Sequence, residues 1–261
     1  MTRSRFSPAE VALLGTGLVV LTWFLTAQFY LRQVAGIRYF AEPALAELIP
    51  LEAAYGPDRS SANAEEWNIR DFFRDQRGGV FLDVGANHYK NDSNTYFLET
   101  NLGWSGIAVD ALQEFAADYA THRRQTRYVA AFASDRTEGT VRFFVPPSGS
   151  KLWASQDPAF TAKGGDSSEA VTVPTTTLNT ILEQAGVSRL DLLSMDIELS
   201  EPAALKGFDI DKYQPALVCI EGHPEIRQIL VDYFDERDYR LVGKYLRVDV
   251  TNLYFTPAKS R

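Results

Sequence analysis

Asp196, Glu198, Glu221 and His223 are residue types that move protons or hold hard cations, and they sit in two short blocks, MDIE at 195–198 and IEGH at 220–223. Each block ends an apolar run, LDLLSM at 190–195 and ALVCI at 216–220. A hydroxyl that is to act as a nucleophile must lose its proton, so His223 or one of the three carboxylates is useful within hydrogen-bond reach of it. The same four groups offer the oxygen and imidazole ligands that suit Mg²⁺ or Mn²⁺. Asp83 and Asp110 close two further runs of this kind, VFLD at 80–83 and GIAVD at 106–110. Acids at successive strand ends converge, because ligands of open α/β sheets bind beyond the carboxyl edge. The plainer alternative is solvated punctuation between strand and loop, and for Asp110 a helix N-cap.

Residues 80–87 (VFLDVGAN) read as a buried parallel strand running into a small-residue turn. Gly85 lets the backbone turn where a side chain would collide with a ligand. Residues 93–102 have a helical apolar pattern, and Asp110 follows the turn by roughly twenty residues, where nucleotide folds place a ribose ligand. The order is strand, turn, helix, strand, acid. A dinucleotide-dependent oxidoreductase would show G-x-G-x-x-G here, and Gly85, Ala86 and Asn87 followed by Tyr89 do not supply it.

Strand and helix patterns alternate beyond this unit. Strands are expected at 128–133, 140–145 (as an added edge), 171–174, 190–196 and 216–221, with helices at 177–184, 201–206 and 224–234. Segments 240–246 and 252–256 are consecutive strands with a short connection and must pair antiparallel at one edge of a mostly parallel sheet. Ahead of the first strand, Asn63 is placed to cap a helix, with Glu66 as its capping-box partner.

A chain of 261 residues with 45% hydrophobic content carries one full-sized core plus an appendage. A net charge of −8 and a pI near 5.0 argue against a nucleic-acid partner. The single Cys219 lies in an apolar run and reads as a buried strand residue, and no zinc-type Cys/His cluster is present. His88 reads as a loop residue or a substrate contact, and His122, with Arg123 and Arg124, as a solvated helix end.

The appendage is N-terminal. Residues 11–31 contain no charge and, at about 1.5 Å per residue, can cross a hydrocarbon core of roughly 30 Å. They read as one transmembrane helix after a tail at 1–10, with a cleaved signal peptide or a buried helix as alternatives. Arginines flank the span on both sides and leave orientation open, and Gly15 and Gly17 lack the G-x-x-x-G spacing of tight helix dimers. A juxtamembrane linker at 32–62 then leads into a globular domain at 63–261. Within it, residues 146–169 form a long, turn-rich connection in which Trp153 and Phe160 either fold over an acceptor or anchor an insertion, and Lys151 and Lys163 are available to recognise an acid or phosphate.

FLDVGAN, SNTYFLETNLGWSGIAVD, AFASDRTEGTVRFF, MDIELSE and IEGH, in this order and spacing, resemble the FkbM family of S-adenosylmethionine-dependent methyltransferases over roughly residues 63–257. The resemblance implies a Rossmann-like class I methyltransferase fold, α/β with a mostly parallel seven-stranded sheet and a terminal antiparallel hairpin inserted in it, and methyl transfer usually to an oxygen. Carried onto this sequence, Asp83, Gly85, Ala86 and Asn87 line the methionine end of the cofactor and Asp110 holds the ribose. Ser134 and Asp135 lie beside adenine, and Asp196, Glu198, Glu221 and His223 face the reacting methyl. The sequence departs from the family pattern at Tyr89, where another glycine is common, at Ala111 and Leu112, which replace a proline region, and at Leu199 and Ser200, which replace a Gly-Ala pair. The leading expectation is a membrane-anchored methyltransferase acting on a sugar, a lipid-linked glycan or a small metabolite, with its domain on the cytoplasmic side where the donor is. The alternatives are the oxidoreductase and a non-catalytic membrane-tethered binding module, for which Tyr89 is the best argument.

Overall fold

Apolar runs bounded by acids and glycines build the centre of the protein, whose computed structural model describes residues 51–146, 153–164 and 168–259. Strands β1 (Val80–Val84), β2 (Ser105–Asp110), β3 (Thr126–Ala130), β7 (Leu192–Met195) and β8 (Leu217–Glu221) pair in parallel in the order β3-β2-β1-β7-β8. Strands β10 (Asn252–Pro257) and β9 (Tyr239–Leu241) complete seven strands, with β10 antiparallel to both β8 and β9. Every residue of β7 and β8 is buried, as continuous apolar runs covered on both faces require. The reversal between β1 and β7 puts the ends of β1, β2 and β7 around one crevice, the topological switch point of such sheets.

Helix α1 (Leu51–Tyr55) precedes α2 (Glu65–Phe73), and α3 (Tyr96–Leu102), α4 (Ala116–His122), α5 (Pro158–Thr161), α6 (Leu178–Gln184), α7 (Glu201–Lys206), α8 (Ile210–Tyr213) and α9 (Arg227–Asp235) connect the strands. Ile69 of α2 and Leu98 and Leu102 of α3 share one core with Phe81, Trp104, Leu192, Leu217, Cys219 and Tyr254. Cys219 is thus a buried strand residue, as its context suggested.

Four expectations need correction. Residues 128–133 are two elements, because the chain leaves the main sheet after β3 and enters a second one. There β4 (Phe132–Ala133), β6 (Glu169–Thr176) and β5 (Thr140–Val145) pair in the order β4-β6-β5, so 140–145 is no edge of the main sheet. Asn63 does not cap α2. Ser61 Oγ accepts from Glu66 N at 3.1 Å while Glu66 Oε2 accepts from Ser60 N at 2.8 Å, a reciprocal pair two residues upstream. The segment expected as a strand at 240–246 extends only over Tyr239–Leu241 and then turns into a 3₁₀ turn at Tyr245–Arg247, whose Tyr245 packs on Tyr254.

The apolar span at 11–31 and the linker up to residue 50 lie outside the described residues. Among the described residues, no helix is long and apolar enough to cross a membrane. The last part of the linker packs on the domain: Tyr55 O accepts from Arg70 Nη1 at 3.2 Å, and its ring lies under the Arg70 guanidinium.

Candidate functional site

The turn after β1 begins the site. Gly85 has φ +85°, and a Cβ there would lie 1.7 Å from the carbonyl oxygen of Asp196. Glycine is therefore required by the neighbouring β7 backbone, whereas the sequence suggested a ligand as the reason. Gly85 and Ala86 donate N–H groups to Val109 O at 2.8 and 3.1 Å, which draws the turn against β2. Asn87, at φ 47°, donates its N–H to Asp110 Oδ2 at 2.9 Å, and Leu112 N donates to Asp110 Oδ1 at 2.8 Å. Asp110 thus organises both loops, and each of its oxygens keeps a lone pair for a ligand hydroxyl. Burial outweighs these two donors and pushes its carboxyl up to about 6.

Beneath this turn lies a network the sequence did not reveal. Arg123, expected at a solvated helix end, is 1% exposed. Its Nε donates to Glu99 Oε2 at 2.6 Å, Nη1 to Tyr89 O at 2.8 Å and Nη2 to Thr95 Oγ1 at 3.1 Å. Thr95 in turn donates to Asp83 Oδ2 at 2.6 Å, and Gln125 N and Thr126 Oγ1 complete the shell of Glu99. Burial raises the Asp83 carboxyl, and the Thr95 hydroxyl and Arg123 charge oppose that rise. Of the three neighbours read together as solvated, His122 and Arg124 are exposed and only Arg123 is buried.

Tyr89 stacks between His88 and His122, with ring centroids 4.5 and 4.4 Å away. His88 Nδ1 accepts the backbone N–H groups of Lys90 and Asn91, so this histidine shapes its own loop.

The opposite wall comes from β7 and β8. Asp196 N donates to Val84 O at 2.9 Å, fixing the β7 end beside the glycine turn. The chain then passes through two left-handed residues, Glu198 at φ 54° and Leu199 at φ 73°. For residues with a Cβ this costs about 1–2 kcal/mol each, a cost that glycine would avoid. Glu201 Oε1 accepts from Ile197 N at 2.9 Å and Ser155 Oγ donates to Glu198 O at 3.1 Å, and these two contacts hold the turn.

His223 Nε2 lies 3.0 Å from Glu198 Oε2 and 2.9 Å from Glu221 Oε2. Burial, and then the Asp196 charge, raise the Glu198 and Glu221 carboxyls well above the usual range, while burial lowers His223. Burial lifts Glu201 to about 7. Asp196 also shifts upward, but its residue is exposed toward solvent, so water weakens that shift relative to those of buried Glu201 and Glu221. The Glu198–Glu221–His223 group therefore holds its carboxyl protons more tightly than free carboxylates do.

These parts meet in one pocket. It is lined by the β1 turn from Asp83 to Asn87, by Val109 and Asp110, and by Asp196 and Glu198. Ala131, Phe132, Ala133 and Phe143 form an apolar side. Ser134 and Asp135, read as adenine neighbours, follow this side and bond to each other through Ser134 Oγ and Asp135 Oδ1; they are not among the lining residues. Glu221 and His223 stand behind Glu198, outside the lining, and Tyr89 also faces elsewhere. Ala62 and Glu65 supply a wall that sequence reasoning missed, because the linker and first helix carry no motif. Glu65 is positioned by Asn252 Nδ2 at 2.9 Å and Asn63 N at 2.7 Å.

The described part of the 146–169 connection is anchored: Trp153 packs on Phe160, Phe160 meets His223 edge-on at 5.3 Å, and Ala154 lines the pocket. Lys163 lies over the Phe160 ring, and Lys151 falls outside the described residues.

Residues 83–241 match the family model described as a methyltransferase FkbM domain. A comparison with curated proteins found no match.

Proposed function

The chain belongs to the FkbM methyltransferase family, and from that premise we propose that it transfers the methyl group of S-adenosylmethionine to a hydroxyl of a sugar, a lipid-linked glycan or a related small metabolite. One observation carries this reading: a single pocket joins the β1 turn, Asp110 and the Asp196–Glu198 turn. Asp110 is placed to accept the ribose hydroxyls, and the apolar side from Ala131 to Ala133 with Phe143 suits the flat adenine. The methionine end falls between Asp83 to Asn87 and Asn94, all of which line the pocket. This leaves the sulfonium carbon toward Asp196 and Glu198.

In the reaction an acceptor oxygen lone pair attacks the methyl carbon, the carbon–sulfur bond breaks with its electrons passing to sulfur, and the hydroxyl proton leaves to a base. Alignment at near-attack distance alone is worth about 7–11 kcal/mol. Glu198 lines the pocket and has His223 Nε2 3.0 Å behind it, so the Glu198–His223 pair is the proton acceptor by position, the imidazole being the member that burial keeps neutral. Tyr89 stacks on His88 and His122 and is not among the residues that line the pocket, which supports the catalytic reading over a non-catalytic module.

The uncharged stretch at 11–31 supports a single-pass anchor, and a cytosolic donor supports a domain on the cytoplasmic face. Protease protection of the domain in sealed inside-out vesicles would refute that orientation. Calorimetry with S-adenosylmethionine, followed by mass spectrometry of extracts incubated with isotopically labelled donor, tests the activity. Absence of donor binding would refute it.

A further inference from the structure

Resting on that reading, we infer that Asp196, Glu201 and Glu221 form a binding site for one divalent cation of the Mg²⁺ or Mn²⁺ class at the acceptor edge of the pocket. Their ligand oxygens all lie within 4.8 Å of one another. Octahedral coordination at about 2.1 Å separates oxygens by roughly 3 to 4.2 Å, so a small hard cation fits among them.

The second observation is independent of the clustering. Glu201 is 0% exposed, and its Oε2 has no hydrogen-bond partner although Oε1 is held by Ile197 N. Glu221 is 7% exposed, and its Oε2 lies 2.9 Å from His223 Nε2, a nitrogen it shares with Glu198 Oε2 at 3.0 Å. A buried oxygen left without a donor is costly, more so when charged, and natural proteins satisfy nearly all such atoms. A cation answers the deficit at Glu201 and the shortage of positive charge around the three carboxylates.

The set differs from the one the sequence offered. Glu201 joins it because the tight turn at Glu198 and Leu199 folds the start of α7 back over the end of β7. Asp196 is the member that reaches the pocket, so the remaining coordination positions face the acceptor. A hydroxyl oxygen bound there would be acidified by the cation, which favours acceptors that present oxygen ligands.

Mn²⁺ titrated into the full-length protein without donor, followed by the electron paramagnetic resonance signal of the free ion, tests the site. The expected result is one bound ion per chain, with affinity at least tenfold weaker in Glu201→Gln and again in Asp196→Asn, a variant at an exposed position that spares the core. Donor affinity of Glu201→Gln, measured separately by calorimetry, should stay within about twofold of the parent, since Glu201 does not line the donor pocket. Absence of Mn²⁺ binding by the parent, or equal binding by both variants, overturns the site. Loss of donor binding in the parent overturns the methyltransferase reading instead, so the two failures are distinguishable.

Discussion

At the β1–β2 end of the pocket the carboxylates are answered by donors: buried Asp83 by Thr95, half-buried Asp110 by two backbone N–H groups, and buried Glu99 by Arg123, Gln125 and Thr126. At the β7–β8 end, Glu201 keeps one buried oxygen without a donor, Glu198 and Glu221 lean on the same His223 Nε2, and the backbone between the two halves of that wall is held in two left-handed residues. The first region is a finished piece of structure whose polar groups need nothing further. The second stores unmet polarity and backbone strain, as expected of a place where a ligand completes the arrangement.

The sharpest way to break this contrast is to unbalance the finished side. Arg123→Ala leaves buried Glu99 without its cationic partner, and unfolding by denaturant should show a loss of about 3–5 kcal/mol. A loss below about 1 kcal/mol would mean that the network is ornamental. Gly85→Ala strikes the seam between the two regions. With a Cβ 1.7 Å from Asp196 O and φ +85°, it should cost about 3 kcal/mol and abolish measurable donor binding.

Asp110 sharpens the comparison through pH. Its carboxyl is raised to about 6 in the folded chain, against about 3.9 in an unfolded one. The native state therefore holds the proton longer than the unfolded state does. The resulting stability is fully present below about pH 4 and is lost as pH rises through about 6, by roughly 1–3 kcal/mol. Asp110→Asn should flatten that part of a melting-temperature profile. Donor affinity should run the other way, strengthening between pH 5 and 7 as the ionised carboxylate becomes a pure acceptor, and a flat calorimetric profile would count against the ribose role.

The smallest effect belongs to the strained side. Leu199→Gly relieves a left-handed leucine at φ 73° and should raise stability by about 0.5–1 kcal/mol, the gain being partly offset by the freedom glycine adds to the unfolded chain. A loss of stability would show that packing of the leucine side chain outweighs its backbone strain.

The sequence disclosed whatever local pattern controls. Strand ends carrying Asp83, Asp110, Asp196 and Glu221 were legible because each follows an apolar run, and Thr177 was legible as the start of α6, where its side chain accepts from Thr180 N. Arg123 was hidden because charged neighbours on both sides give the same text as a solvated helix end; only the approach of α3 and β1 makes it an interior residue. The β4-β6-β5 sheet was equally hidden. Its β4–β6 pairs join residues some forty positions apart, as in Phe132 with Thr175, and a two-residue strand has no period to detect. Glu201 reads as an ordinary acid in the first turn of a helix until the preceding turn folds it over the end of β7.

The wall made by Ala62 and Glu65 has a practical corollary. Both residues stand ahead of Asp83, where the family match begins, and Glu65 is clasped by Asn252, which lies beyond its end at Leu241. A version of the protein trimmed to the shared family segment would be missing one bank of its own binding channel and the clasp that secures it, so weak ligand uptake by such a fragment would say nothing about the intact enzyme.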